Sequence, residues 1–529
     1  MTSGGAPITR DPEEHYNVAE WLVDRHVDGG RGGRVAIRFQ GRSVTYSQLW
    51  SEVQRAQRAL ADMGLVPGDR IAIVANDEPE FIAWFLGAQR GGFVPVPLST
   101  MLTARELALV IADSRAAVVA VSVEHQHRLA LVAETAPDLD HIIVFGRPEP
   151  LRGNRLSVFD ADDFGYAQPP VADTTVRSQA FWLYSSGTTG LAKGVMHTHN
   201  NMQVTAETYA ARVLETTEDD RFFSIAKLFF AFGLGNSLTF PLAVGGTTIL
   251  DPRPATPSGA LETIGAERPT LFFASPGFIA GLLDVQPDPS AFESVRASVS
   301  AGESLPAELL QRFTGRFDHP ILDGIGSTEA LHTFISNTLT HQEPGSSGVP
   351  VPGYDIELRD EQNQVVDTVD TAGYLHVRGP SIATGYWERD EATAAAFIGG
   401  WLRTGDVYQR SSNDYWTFLG RSSDMIKAGG IWVSPAEVES VLVEHPDVLE
   451  AAVVGARDNH GLETTVAFVV AGSGHTIDQS RLVDHCRERM AAFKRPRRII
   501  EVPELPKTAT GKIQRFALRS GLRSGPTAR

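Results

Sequence analysis

From about residue 33 the chain alternates short apolar runs with amphipathic stretches. RVAIRF reads as a strand, and TYSQLWSEVQRAQRALADMG as a helix with one apolar face. DRIAIVAND reads as a strand, EFIAWFLGAQRGG as a helix ended by glycines, and FVPVPLS as a strand. AAVVAVS, HIIVFG, GTTILD, TLFFAS and ASVSAG are further short runs rich in β-branched residues. Strand–helix alternation sustained over hundreds of residues predicts an α/β protein with largely parallel sheets.

The pattern changes after about residue 345. GVPVPGYDIELRDEQNQVV and GYLHVRGPSIATGYW predict a small, mostly β region. EAAVVGARD, TTVAFVVAG, SRLVDHCRERMAAF and RRIIEVPELP then alternate strands and helices over only about a hundred residues. Residues 425–529 read as a separate small α+β domain, with a boundary near GRSSD.

A chain of 529 residues is too long for one core and predicts at least two domains. Its hydrophobic (42%) and charged (21%) fractions are those of a globular protein without membrane spans. No apolar run approaches the ~20 residues a membrane span needs. The N-terminus MTSGGAPITRDPEEHYN lacks a basic-then-apolar signal pattern. The single cysteine, Cys486, cannot form an internal disulfide, which suits a reducing cytoplasm; within a helical pattern it reads as structural. A net charge of −17 argues against nucleic-acid binding. Any polyanionic ligand must then find its positive charge gathered locally.

One stretch offers such a charge. YSSGTTGLAKG (184–194) sets glycines, hydroxyls and Lys193 in eleven positions, a mixture suited to phosphate oxygens. It is not a Walker loop, because Ala192 and Gly194 flank the lysine where that loop needs Gly and Ser/Thr. No dinucleotide fingerprint is present either: Leu238 and Glu329 stand where the third glycines after Gly233-Leu234-Gly235 and Gly324-Ile325-Gly326 should be. His197 and His199 in MHTHNN are not a metal pair, since no third ligand stands at useful spacing.

Five further segments follow in order: DGIGSTEALHTF (323–334), RGPSIATGYW, WLRTGDVY (401–408), GRSSDMIKAGG (420–430) and PKTATGKIQR (506–515). Together with YSSGTTGLAKG this series resembles the adenylate-forming superfamily of acyl-CoA synthetases, peptide-synthetase adenylation domains and firefly-type luciferases. The resemblance covers nearly the whole chain. It implies a large N-terminal α/β adenylation domain over 1–421, a hinge at 422–424 and a small mobile α+β C-terminal domain over 425–529. It also implies ATP as co-substrate. Ser185, Ser186, Gly187, Thr188, Thr189, Gly190 and Lys193 would form the phosphate loop. Thr328 would meet the α-phosphate and Glu329 would help hold Mg2+. Asp323, Gly324 and Ile325 would line the adenine, and Asp406 with Arg421 would take the ribose hydroxyls. Lys512 would bridge the substrate carboxylate and the α-phosphate in the first half-reaction. Lys427, Gly429 and Gly430 would serve a pantetheine tunnel in the second, where absent side chains let a thin substrate approach the backbone. At the hinge this chain has Ser423 where the family usually has Asp or Lys, with Asp424 following.

Within the superfamily, AKLFFAFGLGNSLTFPL (226–242), SVSAGESLPAELLQRF (298–313) and GIGSTEALHTF (324–334) resemble benzoate–CoA and related aryl-CoA ligases. Phe230, Ala231, Phe232, Gly233, Ile325 and the Ala301-Gly302 backbone would form a flat pocket for an unsubstituted or lightly substituted benzene ring. Phe232 stands where a tyrosine is common, which makes that wall more apolar. His332, three after Glu329, would face the substrate carboxylate if it lay on a helical turn; a structural histidine is the alternative. The expected substrate is an aromatic carboxylic acid, benzoate or a simple derivative. The expected acceptor is the thiol of coenzyme A, with FKRPRR (493–498) as basic surface, or else the phosphopantetheine arm of an acyl carrier protein. Neither nucleic acid nor membrane is an expected partner, and a homodimer is compatible with the sequence. A luciferase-like oxygenase, a non-catalytic nucleotide-binding module and a fatty acyl-CoA synthetase are the competing readings.

Overall fold

The computed structural model describes residues 11, 13–149, 156–166, 168–185, 192–428, 431–457, 463–472, 474–492, 494–507 and 513–524. The backbone divides into two compact units, Met1–Asp355 with Val377–Leu402 and Ile356–His376 with Arg403–Arg529. The second unit thus takes in more chain than residues 425–529.

In the first unit, five of the described strands form a parallel sheet in the spatial order 94–97, 70–74, 116–122, 141–145, 157–160. Four of them are the runs VPVP, RIAIV, AAVVAVS and HIIVF, almost continuously apolar because helices cover both faces of such a sheet; the fifth, SVFD, is the more exposed edge strand. Helices Tyr46–Asp62 and Pro79–Arg90 pack against each other. The first starts at a capping box between Thr45 and Gln48 and buries Leu49, Val53, Ala56 and Leu60, one stripe at helical spacing. The second crosses it at Gly87, where a Cβ would come within 2.7 Å of the Ala56 methyl.

A second, nine-stranded sheet runs in the order 349–350, 333–336, 321–326, 297–300, 271–274, 221–224, 247–250, 35–39, 42–45. Arg221–Ser224 pairs in parallel with both Thr247–Leu250 and Leu271–Ala274. The chain turns one way after Arg221–Ser224 and the other way to reach Leu271–Ala274, so their carboxyl ends form a topological switch point. Ligand crevices of open α/β sheets form at such points. The segment leaving it, 225–233, contains Phe230, Ala231, Phe232 and Gly233, which were expected to line the acid pocket.

A third sheet is antiparallel. Gln179–Ser185 pairs with Lys193–Thr198, which pairs in turn with Gly385–Tyr386.

In the second unit, Val448–Arg457, Glu463–Ala471 and Arg498–Glu501 form a three-stranded sheet. Helices Pro435–Val443 and Gln479–Arg489 pack on one another. Leu442, Val453, Val469, Leu482 and Cys486 share one core cluster, so the lone cysteine is a buried packing residue.

Candidate functional site

In the first unit, Ser185 and Lys193 face each other in register at the end of the 179–185/193–198 ladder. Lys193 Nζ lies 4.9 Å from the ring centroid of Tyr386, a cation–π distance. The Tyr386 hydroxyl donates to Glu329 Oε1 at 2.9 Å. Burial and the adjacent Glu329 carboxylate raise the pKa of the Tyr386 phenol, so it remains a donor. Lys193, Tyr386 and Glu329 therefore form one contiguous line. Strand pairing produces it, because Tyr386 sits opposite Val195, two residues from Lys193.

Thr328 and Glu329 lie on a tight turn closed by Leu331 N donating to Thr328 O at 3.1 Å. Leu331 takes a φ of 68°, a left-handed conformation costly for a branched side chain. The segment is a turn, not the helical turn that would have aimed His332. His332 is buried among Tyr209, Phe232 and Phe240, with ring centroids 5.3, 5.5 and 4.6 Å away. Its Nε2 is 3.2 Å from Asn236 Oδ1. Burial lowers its pKa to about 3, and the ring is neutral. Gly235 makes this packing feasible, since a Cβ there would lie 2.3 Å from the His332 ring.

Phe232 bridges His332 and Phe273, the latter edge-on at 6.2 Å. Phe230, Ala231, Phe232 and Ile325 are partly exposed, whereas Gly233 is buried, with Lys227 O only 2.0 Å from where its Cβ would be. Ser300 and Asp323 are register partners, so Ala301-Gly302 leave their strand beside Gly324-Ile325, which continue the adjacent parallel strand. Asp323 is buried; its Oδ1 has no hydrogen-bond partner, and burial raises its pKa well above the usual carboxylate range.

The pocket segment is anchored from the parallel sheet. Asp77 Oδ1 accepts from Leu228 N at 3.0 Å, and its Oδ2 lies 3.5 Å from Lys227 Nζ. Lys227 also donates to the carbonyls of Asp251 and Arg253. Burial raises the Asp77 pKa while Lys227 opposes it.

In the second unit, Asp406 stands opposite Arg421 across an antiparallel pair, with Arg421 Nη1 at 3.0 Å from Asp406 Oδ1. The following turn is held by Asp424 N and Met425 N donating to Arg421 O. Arg519, on the helix Arg515–Ser524, donates to Ser423 O at 2.9 Å and to Asp424 Oδ1 at 2.8 Å. In the basic run, Lys494 pairs with Glu437 and Arg495 donates to Met490 O, leaving Arg497 and Arg498 as its exposed cations. Ser186, Gly187, Thr188, Thr189, Gly190, Gly429, Gly430 and Lys512, and the side chain of Lys427, lie outside the described residues.

Residues 23–387 match the family model for AMP-binding enzymes, and residues 437–512 match that for the AMP-binding enzyme C-terminal domain. This chain belongs to the AMP-binding enzyme family. It is 42% identical over 523 residues to a benzoate–CoA ligase of Thauera aromatica, covering 98% of each chain. It is 41% identical to a 4-hydroxybenzoate–CoA/benzoate–CoA ligase of Rhodopseudomonas palustris, covering 96% of this chain and 94% of the relative. Among solved structures it superposes on a benzoate CoA ligase from Burkholderia xenovorans with a TM-score of 0.86 and 41% identity, covering 95% of this chain and all of that one. The anthranilate CoA ligase AuaEII, in complex with anthranoyl-AMP, gives a TM-score of 0.89 and 37% identity, covering 96% and 98%.

Several polar residues of this AMP-binding enzyme's site escaped sequence reasoning. Tyr386 lies in RGPSIATGYW, but its hydroxyl is tied to Glu329 by pairing between segments far apart in sequence. Asp77 and Lys227 are likewise distant. Asn236 carried a usable signal: it lies four residues after Phe232, a polar position on one helical face of an apolar run. His197 and His199, set aside as a metal pair, are separately buried and neutral, with pKa values lowered by burial to about 4 and about 3. Their partners differ: His197 is bonded to Thr328 O, and His199 to Val18 N. Among the described residues no metal-ligating cluster of three occurs, and no helix is long and apolar enough to cross a membrane.

Proposed function

We propose that this protein activates benzoate or a lightly substituted benzoate with ATP and passes the acyl group to coenzyme A. It is an AMP-forming acid–CoA ligase of the aryl type, as its full-length likeness to benzoate–CoA ligases supports. The observation that carries the choice of acid is the Phe232–His332–Phe240 cluster near the switch point, an aromatic packing with a neutral imidazole. It suits a benzene ring better than a long alkyl chain or a polyhydroxylated ring.

In the first half-reaction a carboxylate oxygen bonds to the α-phosphorus of ATP, and the bond to the pyrophosphate oxygen breaks. The attacker and the triphosphate are both anionic, so neutralisation and positioning dominate the barrier. Lys193, with Ser185 and the loop residues Ser186 to Gly190, holds the β- and γ-phosphates. Thr328 meets the α-phosphate, and Lys512 spans carboxylate and phosphate as charge develops. Asp406 and Arg421 take the ribose, while Asp323, Gly324 and Ile325 face the adenine. Glu329 offers a hard carboxylate oxygen with its second oxygen pinned by Tyr386, a donor fitting Mg2+ that keeps water and phosphate ligands. When bound, that ion supplies charge neutralisation on the polyphosphate.

In the second half-reaction the thiol sulfur bonds to the acyl carbon, the bond to the AMP oxygen breaks, and the thiol proton passes to solvent. Lys427, Gly429 and Gly430 serve this step, with the small domain turning about residues 422–424. Arg497 and Arg498 suit the phosphates of coenzyme A. A buried lone Cys486 suits a reducing cytoplasm. The test is benzoyl-thioester formation with coenzyme A against a phosphopantetheinylated carrier protein. Product with coenzyme A supports the proposal. Product only with the carrier makes this a carrier-loading ligase, and light or oxidised product from the adenylate would indicate an oxygenase.

A further inference from the structure

Three consecutive carbonyls on the turn bearing Thr328 and Glu329 are caught by donors from two distant segments, one at residue 197 and one at 381–383. Thr328 O accepts from His197 Nε2 at 2.8 Å. Glu329 O accepts from Ala383 N at 2.8 Å. Ala330 O accepts from Ser381 Oγ at 2.7 Å. The next residue, Leu331, holds the left-handed φ of 68°. Such strain persists only where the surroundings over-determine the backbone.

One amide joins two of these donors. Asn201 Nδ2 donates to His197 Nδ1 at 2.9 Å and to Ser381 O at 2.8 Å, while Asn201 Oδ1 accepts from Thr198 Oγ1. A bond received at Nδ1 puts the His197 proton on Nε2, the atom facing Thr328 O. Tyr354 completes the group from the other side through a hydroxyl contact with Ser381 Oγ. His197, Asn201 and Ser381 are all buried. The imidazole also stacks on Phe181, ring centroids 5.0 Å apart and 17° from parallel, which fixes its plane.

We infer that His197, held as its Nε2–H tautomer by Asn201, is a positioning residue that, with Ser381, fixes the strained 328–331 turn so that Thr328 and Glu329 are aimed before ATP arrives. This rests on the roles of Thr328 and Glu329 in the proposed function. His197 touches neither substrate; it acts through the Thr328 carbonyl. Preorganisation of this kind matters most where groups must meet charge developing in a transition state. The inference therefore assigns His197 to the adenylation step and not to thioester formation.

The experiment compares His197→Leu, His197→Gln and Ser381→Ala in the full-length protein. Benzoate-dependent ATP–pyrophosphate exchange reads the first step, and coenzyme A thioester formation from supplied benzoyl adenylate reads the second. Hydrogen exchange of the 328–331 amides reads the turn independently of activity. For His197→Leu we expect the exchange turnover to fall about 30-fold with the benzoate KM changed less than about threefold. The second step should stay within about threefold of wild type, and protection of Leu331 N should be lost. His197→Gln, which keeps an N–H donor, should recover most of both readouts, and Ser381→Ala should show the same split. Full protection of the turn in His197→Leu, or equal loss in both half-reactions with no rescue by glutamine, would overturn the inference. If His197→Leu fails to fold, the Ser381→Ala split decides. Wild-type protein without exchange on any acid would instead count against the proposed function, leaving the hydrogen-exchange result to judge the positioning role.

Discussion

Tyr386 donates its hydroxyl to Glu329 Oε1 at 2.9 Å, and the same ring lies 4.9 Å from the Lys193 ammonium. One side chain thus serves two groups proposed to act on the triphosphate, Lys193 on its phosphates and Glu329 on its Mg2+. Its two functions separate by substitution. Tyr386→Phe keeps the ring and removes the hydroxyl. It should need about tenfold more Mg2+ for half-maximal pyrophosphate exchange, the usual cost of losing a partner behind a metal ligand. Tyr386→Leu should add a rise of about threefold in the ATP KM through loss of the cation–π contact. Magnesium and ATP titrations of both variants check this, and an unchanged magnesium requirement in Tyr386→Phe would contradict it.

Asp77 secures the start of the acid-pocket segment through Leu228 N and Lys227. Asp77→Ala leaves a largely buried ammonium and an unpaired amide, so we expect a loss of about 3 kcal/mol of stability. The benzoate KM should rise more than the ATP KM, because the residues displaced are those before Phe230. Urea unfolding and steady-state kinetics read the two effects. Asp77→Asn, which still accepts from Leu228 N, should be milder on both.

Acid sensitivity has a defined sign. The His199 pKa falls by burial to about 3 from an ordinary 6.5, so the folded form keeps this ring neutral. Between those values the unfolded chain binds the proton and the folded chain does not. The contribution is complete above pH 6.5 and is lost as pH falls below it, at about 1.4 kcal/mol per pH unit per proton. His199→Gln retains an acceptor for Val18 N and should flatten the dependence of unfolding free energy on pH by up to one proton between pH 6 and 5. Parallel slopes for the variant and the wild type would show that His199 titrates normally.

Arg519 grips Ser423 O and Asp424 from the helix that follows the Lys512 segment. Ser423 lies within the second unit; in the proposed turning about residues 422–424, these bonds would hold the peptide after Ser423 and leave the torsions of Ser423 itself to pivot. Arg519→Ala should lower turnover about fivefold in both half-reactions while the benzoate KM is unchanged. A rise in the benzoate KM alone would place Arg519 in substrate binding instead.

The sequence was most legible where chemistry follows local pattern. Apolar runs such as RIAIV and LFFA became buried parallel strands because a sheet covered on both faces needs little else. The amphipathic helix read from TYSQLWSEVQRAQRALADMG spans Tyr46–Asp62, with Thr45 as its cap. Phe230 to Gly233, expected by resemblance to line an acid pocket, lie in the segment that leaves a topological switch point, a feature no local pattern announces. Long-range polar pairing was not legible. Nothing near Asp77 names Lys227, and nothing near His197 names Thr328, because side-chain bonds between distant segments leave no period in a sequence. The turn at Thr328–Leu331, left open between a helical turn and a structural histidine at His332, was not legible for a related reason. Its left-handed Leu331 is imposed by bonds from 197, 381 and 383, against the preference of the residue itself.

The most direct measurement is benzoate-dependent ATP–pyrophosphate exchange in the absence of any thiol, run beside hydroxybenzoates, aminobenzoates, cinnamate, acetate and octanoate. The account predicts strong exchange with benzoate or a lightly substituted benzoate, weak exchange with the aliphatic acids, and loss of exchange in Lys512→Ala. Exchange driven by octanoate or acetate in preference to every aromatic acid would contradict the reading of the Phe232–His332 pocket, and exchange with no acid would contradict the adenylation chemistry itself.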